Sequence, residues 1–334
     1  MIGESISPFK IMFKIGNVEI KGKVVLAPMA GVTSLAYRNF MKPFGVALTV
    51  TEMVSDCGLI YDNARTIDYI KTTDLERPVA IQLFGSSAEN ICKAMDIVLE
   101  KNPNIDMFDI NLGCPAPKVV KTGAGSALLK DPKKIEEMFK IICAHSPIPV
   151  TAKIRLGWNE ESINFKENIK SLEKAGIAAI GLHARTTRAG YAGKPRWDLV
   201  NYLRDEMSVP LIISGDMYDV SDAQKALEIT HADAIMVARG GVGNPKLLER
   251  LNYYFEEKGE LPYPTKIEQK QYLLKFADML IEEKGEYTAM MILRGIAPKF
   301  FSGFPDAKKL RSKLASALTT KESLLKILDE IKED

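Results

Sequence analysis

Short runs rich in Val, Ile, Leu and Phe recur along the chain, and each ends in small or polar residues. They are VVLAPMAG from Val24, LTVTEM from Leu48, PVAIQLFG from Pro78, MFDINLGCP from Met107, PVTAKIRLGW from Pro149, AIGLHART from Ala179, PLIISGDM from Pro210 and AIMVARGG from Ala234. Their starts lie 24 to 42 residues apart, room for a strand, a crossover helix and two loops. The segments between them carry helix start signals. Ser86-Ser87-Ala88-Glu89 reads as a capping box ahead of ICKAMDIVLE, and Asp131-Pro132 as an N-cap and first-turn proline ahead of KKIEEMFKII. Near-continuously apolar strands covered by helices imply a parallel sheet, and eight such units predict a (β/α)8 TIM barrel from Val24 to Asn244.

Beyond Asn244 the strand signals stop and helical periodicity takes over. Thr265-Lys266-Ile267-Glu268 is a capping box, followed by Tyr272, Leu273, Phe276 and Leu280 on one face. Leu310, Leu314 and Leu318 form a second stripe, and Thr319-Thr320-Lys321-Glu322 opens a last helix with Leu324, Leu325, Leu328 and Ile331 at helical spacing. The expected division is a catalytic barrel over residues 1–243 and an all-helical domain over residues 244–334. From Arg294 to Lys326 the helical part holds eight basic residues against Asp306 and Glu322. Such a cluster either neutralises a phosphate backbone or is a solvated helix face.

The 334 residues carry 45 basic and 43 acidic side chains, so net charge by itself points to no partner. No apolar run approaches the ~20 residues of a membrane span, and the N-terminus lacks the pattern of a secretory signal, so a cytoplasmic protein is expected. Cys57, Cys92, Cys114 and Cys143 form no CxxC pair and no metal spacing with His145, His183 and His231, so no metal site is expected. Cys57, Cys92 and Cys143 fall in helix-like contexts, where a thiol serves as a small buried hydrophobe. Cys114 alone stands at a strand end, between Gly113 and Pro115.

Chemistry in a barrel of this kind sits at the C-terminal ends of the strands. Those ends hold Ala27-Pro28-Met29-Ala30, Glu52, Gln82, Asn111 with Cys114, Lys153 with Arg155, His183 with Arg185, Ser214-Gly215-Asp216 and Ala238-Arg239-Gly240. Residues two apart on a strand share a face, so the Lys and Arg pairs build a cationic wall. Gly215, Gly240, Gly241 and Gly243 suit either a phosphate or tight turns after the last two strands. No GxGxxG follows a strand, which disfavours a Rossmann site. His183 is either a satisfied core histidine or a ligand contact, and its place beside Lys153 favours the second. His145 and His231 read as loop or helix-end residues.

APMAGVT from Ala27, TEM from Thr51, QLFG from Gln82, NLGCP from Asn111, KIRLGW from Lys153, HART from His183 and SGDM from Ser214 run in order over nearly the whole barrel. Together they resemble the tRNA-dihydrouridine synthases. The resemblance implies FMN at the barrel mouth, reduced by NADPH or NADH, hydride transfer to C6 of a uridine in tRNA, and a proton from Cys114 to C5. A thiol, with an ordinary pKa of about 8.5, keeps its proton at neutral pH and can act as a general acid. By the same resemblance Pro28, Met29 and Ala30 line the flavin ring, Gln82 and Lys153 bond its polar edge, and His183 contacts the ring or its phosphate. Ser214, Gly215 and Asp216, with Ala238, Arg239 and Gly240, hold the ribityl phosphate end. Asn111, Arg155 and Arg185 would face the substrate base, and Arg294, Lys299 and Arg311 the tRNA backbone.

The chain departs from the family pattern at Ser214, where Asn is usual, at Ala238, where Gly is usual, and at Thr187, where Arg is usual and Arg188 can substitute. A rival reading is an FMN barrel acting on a free pyrimidine, similar to dihydroorotate or dihydropyrimidine dehydrogenases; the basic helical tail argues against it. A second rival, an RNA-binding barrel without catalysis, is opposed by Cys114, Lys153 and His183. Neither DNA nor a membrane is an expected partner, and nothing sets the oligomeric state, for which a monomer is the default.

Overall fold

The computed structural model describes residues 12–331. It opens with an antiparallel hairpin, β1 (Met12–Ile15) and β2 (Val18–Lys21). The barrel follows as β3 (Val24–Leu26), α1 (Leu35–Met41), β4 (Leu48–Val50), β5 (Val54–Ser55), α2 (Asp56–Ile60), α3 (Ala64–Asp68), β6 (Val79–Phe84), α4 (Ala88–Lys101) and β7 (Met107–Asn111). It continues as α5 (Pro117–Val120), α6 (Pro132–His145), β8 (Val150–Arg155), α7 (Phe165–Lys174), β9 (Ala179–His183), β10 (Leu211–Ser214), α8 (Val220–Thr230), β11 (Ala234–Val237) and α9 (Pro245–Phe255). Strands β3, β4, β6, β7, β8, β9, β10 and β11 pair in parallel in that order, and β11 returns to β3 with Ile235 opposite Val24, so the expected eight-stranded barrel closes. β5 only extends the edge of β6.

Alternation along the strands separates the two apolar layers. Val24 and Leu26 join the core under the helices, while Val25 joins an inner cluster with Leu48, Met107, Ala179, Ile212 and Met236. Phe13, Ile15 and Ile20 of the hairpin enter that inner cluster and close the end of the barrel where the strands start. This hairpin is not among the expected elements, although Phe13 and Ile15 alternate ahead of a two-residue Gly16-Asn17 turn, a sound hairpin signal. Gly16 has φ +57, and a Cβ there would meet Pro149, at the head of β8, at 2.7 Å.

The helix caps agree with the sequence reading in part. Asp131 caps α6 by accepting from the Lys134 amide, with Pro132 in the first turn. On α4 the cap is Ser87, accepting from the Asn90 amide, so the box expected between Ser86 and Glu89 does not form; Glu89 pairs with Lys93 instead. The tail comprises α10 (Lys266–Lys284), α11 (Glu286–Ile296), α12 (Lys308–Ser316) and α13 (Lys321–Leu328). Thr265 and Glu268 make the expected reciprocal box on α10, and Thr320 with Ser323 makes one on α13. Leu325, read as part of the buried stripe, is exposed, and Ile327 is buried in its place.

α9 follows the eighth strand and packs on α8 and β3, completing the eighth β/α unit. A boundary at residue 244 therefore groups a barrel helix with the tail; a mostly exposed stretch, residues 256–264, separates α9 from α10. The tail docks on α1 and the turn after it through aromatics: Phe276 lies 5.6 Å from Tyr37 and 5.3 Å from Phe40, and Tyr272 stands edge-on to Phe44. Burying side chains of this size contributes about 1.5–3 kcal/mol each, which fixes the tail beside the first strands. Among the described residues no helix is long and apolar enough to cross a membrane.

Candidate active site

The strand ends meet around a cavity of about 380 Å³. All the strand-end residues expected to hold a cofactor line it, from Pro28, Met29, Ala30 and Gln82 through Lys153, His183, Ser214, Gly215 and Asp216 to Ala238, Arg239 and Gly240. So do Asn111, Cys114 and Arg155. Tyr191 and Met53, which were not among the expected site residues, line it as well.

A buried hydrogen-bond chain sets the floor of the cavity. The Asp109 carboxylate accepts from Thr151 Oγ1 at 2.6 Å and from Gln82 Nε2 at 2.6 Å. Gln82 Oε1 in turn accepts from Asn111 Nδ2 at 2.8 Å, and Asn111 Oδ1 accepts the amides of Gly113 at 3.0 Å and Cys114 at 2.8 Å. The chain thus fixes which way both amides face and ends at the backbone of Cys114. Burial raises the Asp109 carboxyl above its ordinary range, an effect its two donors oppose. Asp109 escaped the sequence reading, although it stands two residues before Asn111 and so shares its face of the strand.

Cys114 is half-buried and held from both sides. Its carbonyl accepts from the Ser126 amide at 3.2 Å and the Ser126 hydroxyl at 2.9 Å. Gly125 has φ +59, and a Cβ there would sit 3.0 Å from the Cys114 carbonyl oxygen, so glycine lets this loop back against the cysteine. Of the other thiols Cys92 is buried, Cys143 is half-buried and pushed up to about 11 by burial, and Cys57 is exposed at the start of α2 rather than buried as expected.

The cationic wall divides into committed and uncommitted charges. Arg155 donates to the carbonyls of Gly113, Thr186 and Gly190 at 2.8 to 3.0 Å. Arg185 does not reach the cavity: it is buried, donating to Asp216 at 2.5 and 3.0 Å and to the carbonyls of Ala192 and Gly193. Asp216, at φ +44, also accepts from Arg239 at 2.9 Å, and the Arg185 bond holds its carboxyl below the usual range. Lys153 makes no hydrogen bond or ion pair among the described residues, and burial, aided by Arg155, lowers its ammonium to about 8. Burial beside Lys153, Arg155, Arg185 and Arg239 holds His183 far below its ordinary range, so its imidazole is neutral. Gly240 is required by its neighbour, because a Cβ would lie 1.8 Å from the Met217 carbonyl oxygen where the last two strand loops touch.

His145 and His231 lie at helix ends, against Asp96 and Asp205, away from the cavity. In the tail Arg294 donates to the Leu318 carbonyl and Arg311 to the carbonyls of Phe301 and Phe304, so both brace the helices. Lys299 lines a second cavity of about 650 Å³, between the mouth and the tail, with Arg239, Tyr218 and Tyr263. Among the described residues no cluster of His, Cys, Asp and Glu is arranged to hold a metal ion.

A mouth with a placed thiol, a neutral imidazole and an uncommitted, half-buried cation suits a polar, electron-rich ligand. The model of the family Dihydrouridine synthase (Dus) matches residues 25–334. The chain belongs to this family. A probable tRNA-dihydrouridine synthase of Aquifex aeolicus is 34% identical over 94% of this chain and 97% of its own length. The tRNA-dihydrouridine synthase B of Shewanella oneidensis is 32% identical over 84% of this chain and 87% of its own. The X-structure of a variant of NCR from Zymomonas mobilis aligns with TM-score 0.50 at 17% identity, over 78% of this chain and 95% of that one, and shares the fold. Turning uridine into dihydrouridine is a reduction, so the dihydrouridine synthases are oxidoreductases.

Proposed function

We propose that the protein reduces the C5–C6 bond of uridines in tRNA to 5,6-dihydrouridine in the cytoplasm, with FMN at the barrel mouth and NADPH or NADH as reductant. The observation that carries this reading is Cys114, fixed on the wall of the same cavity as the uncommitted Lys153 ammonium. The residues present fit FMN: Lys153 and Gln82 offer donors to the polar edge of the ring, His183 a neutral nitrogen, and Arg239 with the Ser214–Asp216 loop a place for the phosphate. When bound, FMN supplies the hydride that reaches C6. The Cys114 thiol donates its proton to C5 and completes the two-electron reduction. Asn111 and Arg155 line the same cavity as Lys153 and Cys114 and are held in place by Gln82 and by backbone groups; from there they orient the base and favour the charge that builds on its carbonyl oxygen. Met29, Met53 and the exposed Tyr191 cover the reacting face. On the tail, Lys299, Lys308 and Lys309 meet the RNA backbone, with Arg294 and Arg311 holding their helices in place.

An anaerobic titration tests the reaction. Protein reduced with NADPH should regain its oxidised flavin absorbance when unmodified tRNA is added, and not with uracil or orotate. Reoxidation by orotate with tRNA inert would establish the free-pyrimidine reading instead.

Lys153 makes the cofactor contact dependent on pH. Its folded-state pKa of about 8 lies below the ordinary value of 10.5, and an acceptor placed on the ammonium raises it again. FMN affinity should therefore be level below pH 8 and weaken as pH rises above it, by up to about tenfold per pH unit. Lys153→Met should bind more weakly and show no such slope. A fluorescence titration on either side of that pH measures both, and a flat profile for the wild type would remove Lys153 from the cofactor contact.

A further inference from the structure

Three neighbouring strand loops meet away from the tail, and three of their side chains, Lys130, Trp158 and Arg188, have no role in the reaction derived above. Lys130 ends the loop after β7, Trp158 stands in the loop after β8, and Arg188 in the loop after β9. The Lys130 ammonium lies 3.6 Å from the centroid of the Trp158 ring, and the Arg188 guanidinium carbon 5.3 Å from the same centroid. The loops are tied so that this happens. Thr187, buried, donates its amide at 2.9 Å and its hydroxyl at 3.1 Å to the Gly157 carbonyl, and the Arg188 amide donates to the Trp158 carbonyl at 2.9 Å. The departure at Thr187 thus closes the loop, and the cation moves to Arg188.

Both cations are exposed, and among the described residues neither pairs with a carboxylate. One aromatic face offers each about 0.5–1 kcal/mol, while two like charges held within a Debye length of about 10 Å repel each other. Of the acids on this edge, Asp131 caps α6 by accepting from the Lys134 amide and Glu160 is engaged by Arg196 and Thr186, which leaves Glu161 at the turn. Lys118, Lys121 and Lys194 add exposed charge at the same end. On the tail, by contrast, Lys313, Lys321 and Lys326 are each paired with an acid. The tail docks on α1, beside β3, so β7, β8 and β9 lie across the ring of strands from it.

We propose that Lys130 and Arg188, positioned by Trp158, bind the phosphodiester backbone of the RNA on the side of the mouth opposite the tail. The substrate is then gripped from both sides while one nucleotide enters the cavity. This inference rests on the tRNA reading of the site. A phosphodiester backbone suits the pair because two successive phosphates can each neutralise one cation already held in place, at little further ordering cost.

The test is the salt dependence of tRNA binding to the full-length protein. Lys130→Ala and Arg188→Ala should each lower the slope of log affinity against log salt by about 0.7–0.9 and weaken binding about fivefold at physiological salt. Each should raise KM for tRNA, leaving kcat and the reduction of the protein by NADPH unchanged. Lys130→Arg should restore the slope, and Lys170→Glu, on the outer face of α7, should leave it at the wild-type value. Wild-type slopes in both alanine variants, with the wild type making dihydrouridine, would overturn the rim site alone. A wild type that makes no dihydrouridine on tRNA would overturn the substrate reading beneath it.

Discussion

Cys114→Ala is expected to lower dihydrouridine formation on tRNA by about 10²–10⁴-fold, the range a positioned general acid contributes. Bound flavin and tRNA affinity should stay at wild-type values. The separation follows from how the cysteine is held. Its backbone is fixed by Asn111 and Ser126 through main-chain contacts, which alanine keeps, so the substitution removes the thiol and little else. The loss should therefore appear in the single-turnover reoxidation of the reduced protein by tRNA, and not in its reduction by NADPH. Cys143, pushed up to about 11 by burial, cannot substitute, because it lies on α6 outside the cavity. Cys114→Ser retains a hydroxyl that is a far weaker acid and should fall close to the alanine variant. Undiminished turnover in Cys114→Ala would place the proton donor elsewhere.

The eight strands were legible because each buried run ends in functional residues and the runs recur at crossover length. Every residue expected at the cofactor lines the cavity, since the end of a barrel strand is a place that local pattern can identify. Less of the polar floor was visible. Asp109 matters through Thr151 on one neighbouring strand and Gln82 on the other, and that register is a property of the closed sheet. The arginines show a second limit. Arg155, Arg185, Arg294 and Arg311 read as substrate cations from charge and position, yet each guanidinium reaches a carbonyl of its own chain. A count of charges cannot tell a free cation from one already bonded. The Lys130, Trp158 and Arg188 cluster stayed hidden for the same reason as Asp109: three loops meet that are distant in sequence.

The same distinction between charge and its partners predicts the largest effect on stability. Arg38, on α1, is buried against Glu76, with Nε 2.5 Å from Oε2 and an Nη 3.1 Å from Oε1. It also donates to the carbonyls of Thr33 and Lys71, each at 2.8 Å. Arg38→Met should destabilise the fold by about 3–5 kcal/mol, because it strands a carboxylate with no solvent exposure. Set against total stabilities of about 5–15 kcal/mol, that is a large share. Urea unfolding should show a lowered midpoint at constant slope. Arg38→Met with Glu76→Leu should recover most of the loss, since two apolar groups leave no charge behind. Recovery should stop short of the site. Thr33 holds Met29 at the cavity wall through the Met29 amide and carbonyl, and Arg38 anchors the Thr33 carbonyl. The double variant should therefore regain stability while still retaining its cofactor poorly. If it regains both, the ion pair serves the fold alone; if it regains neither, Thr33 and Lys71 rather than Glu76 are the partners that make Arg38 indispensable.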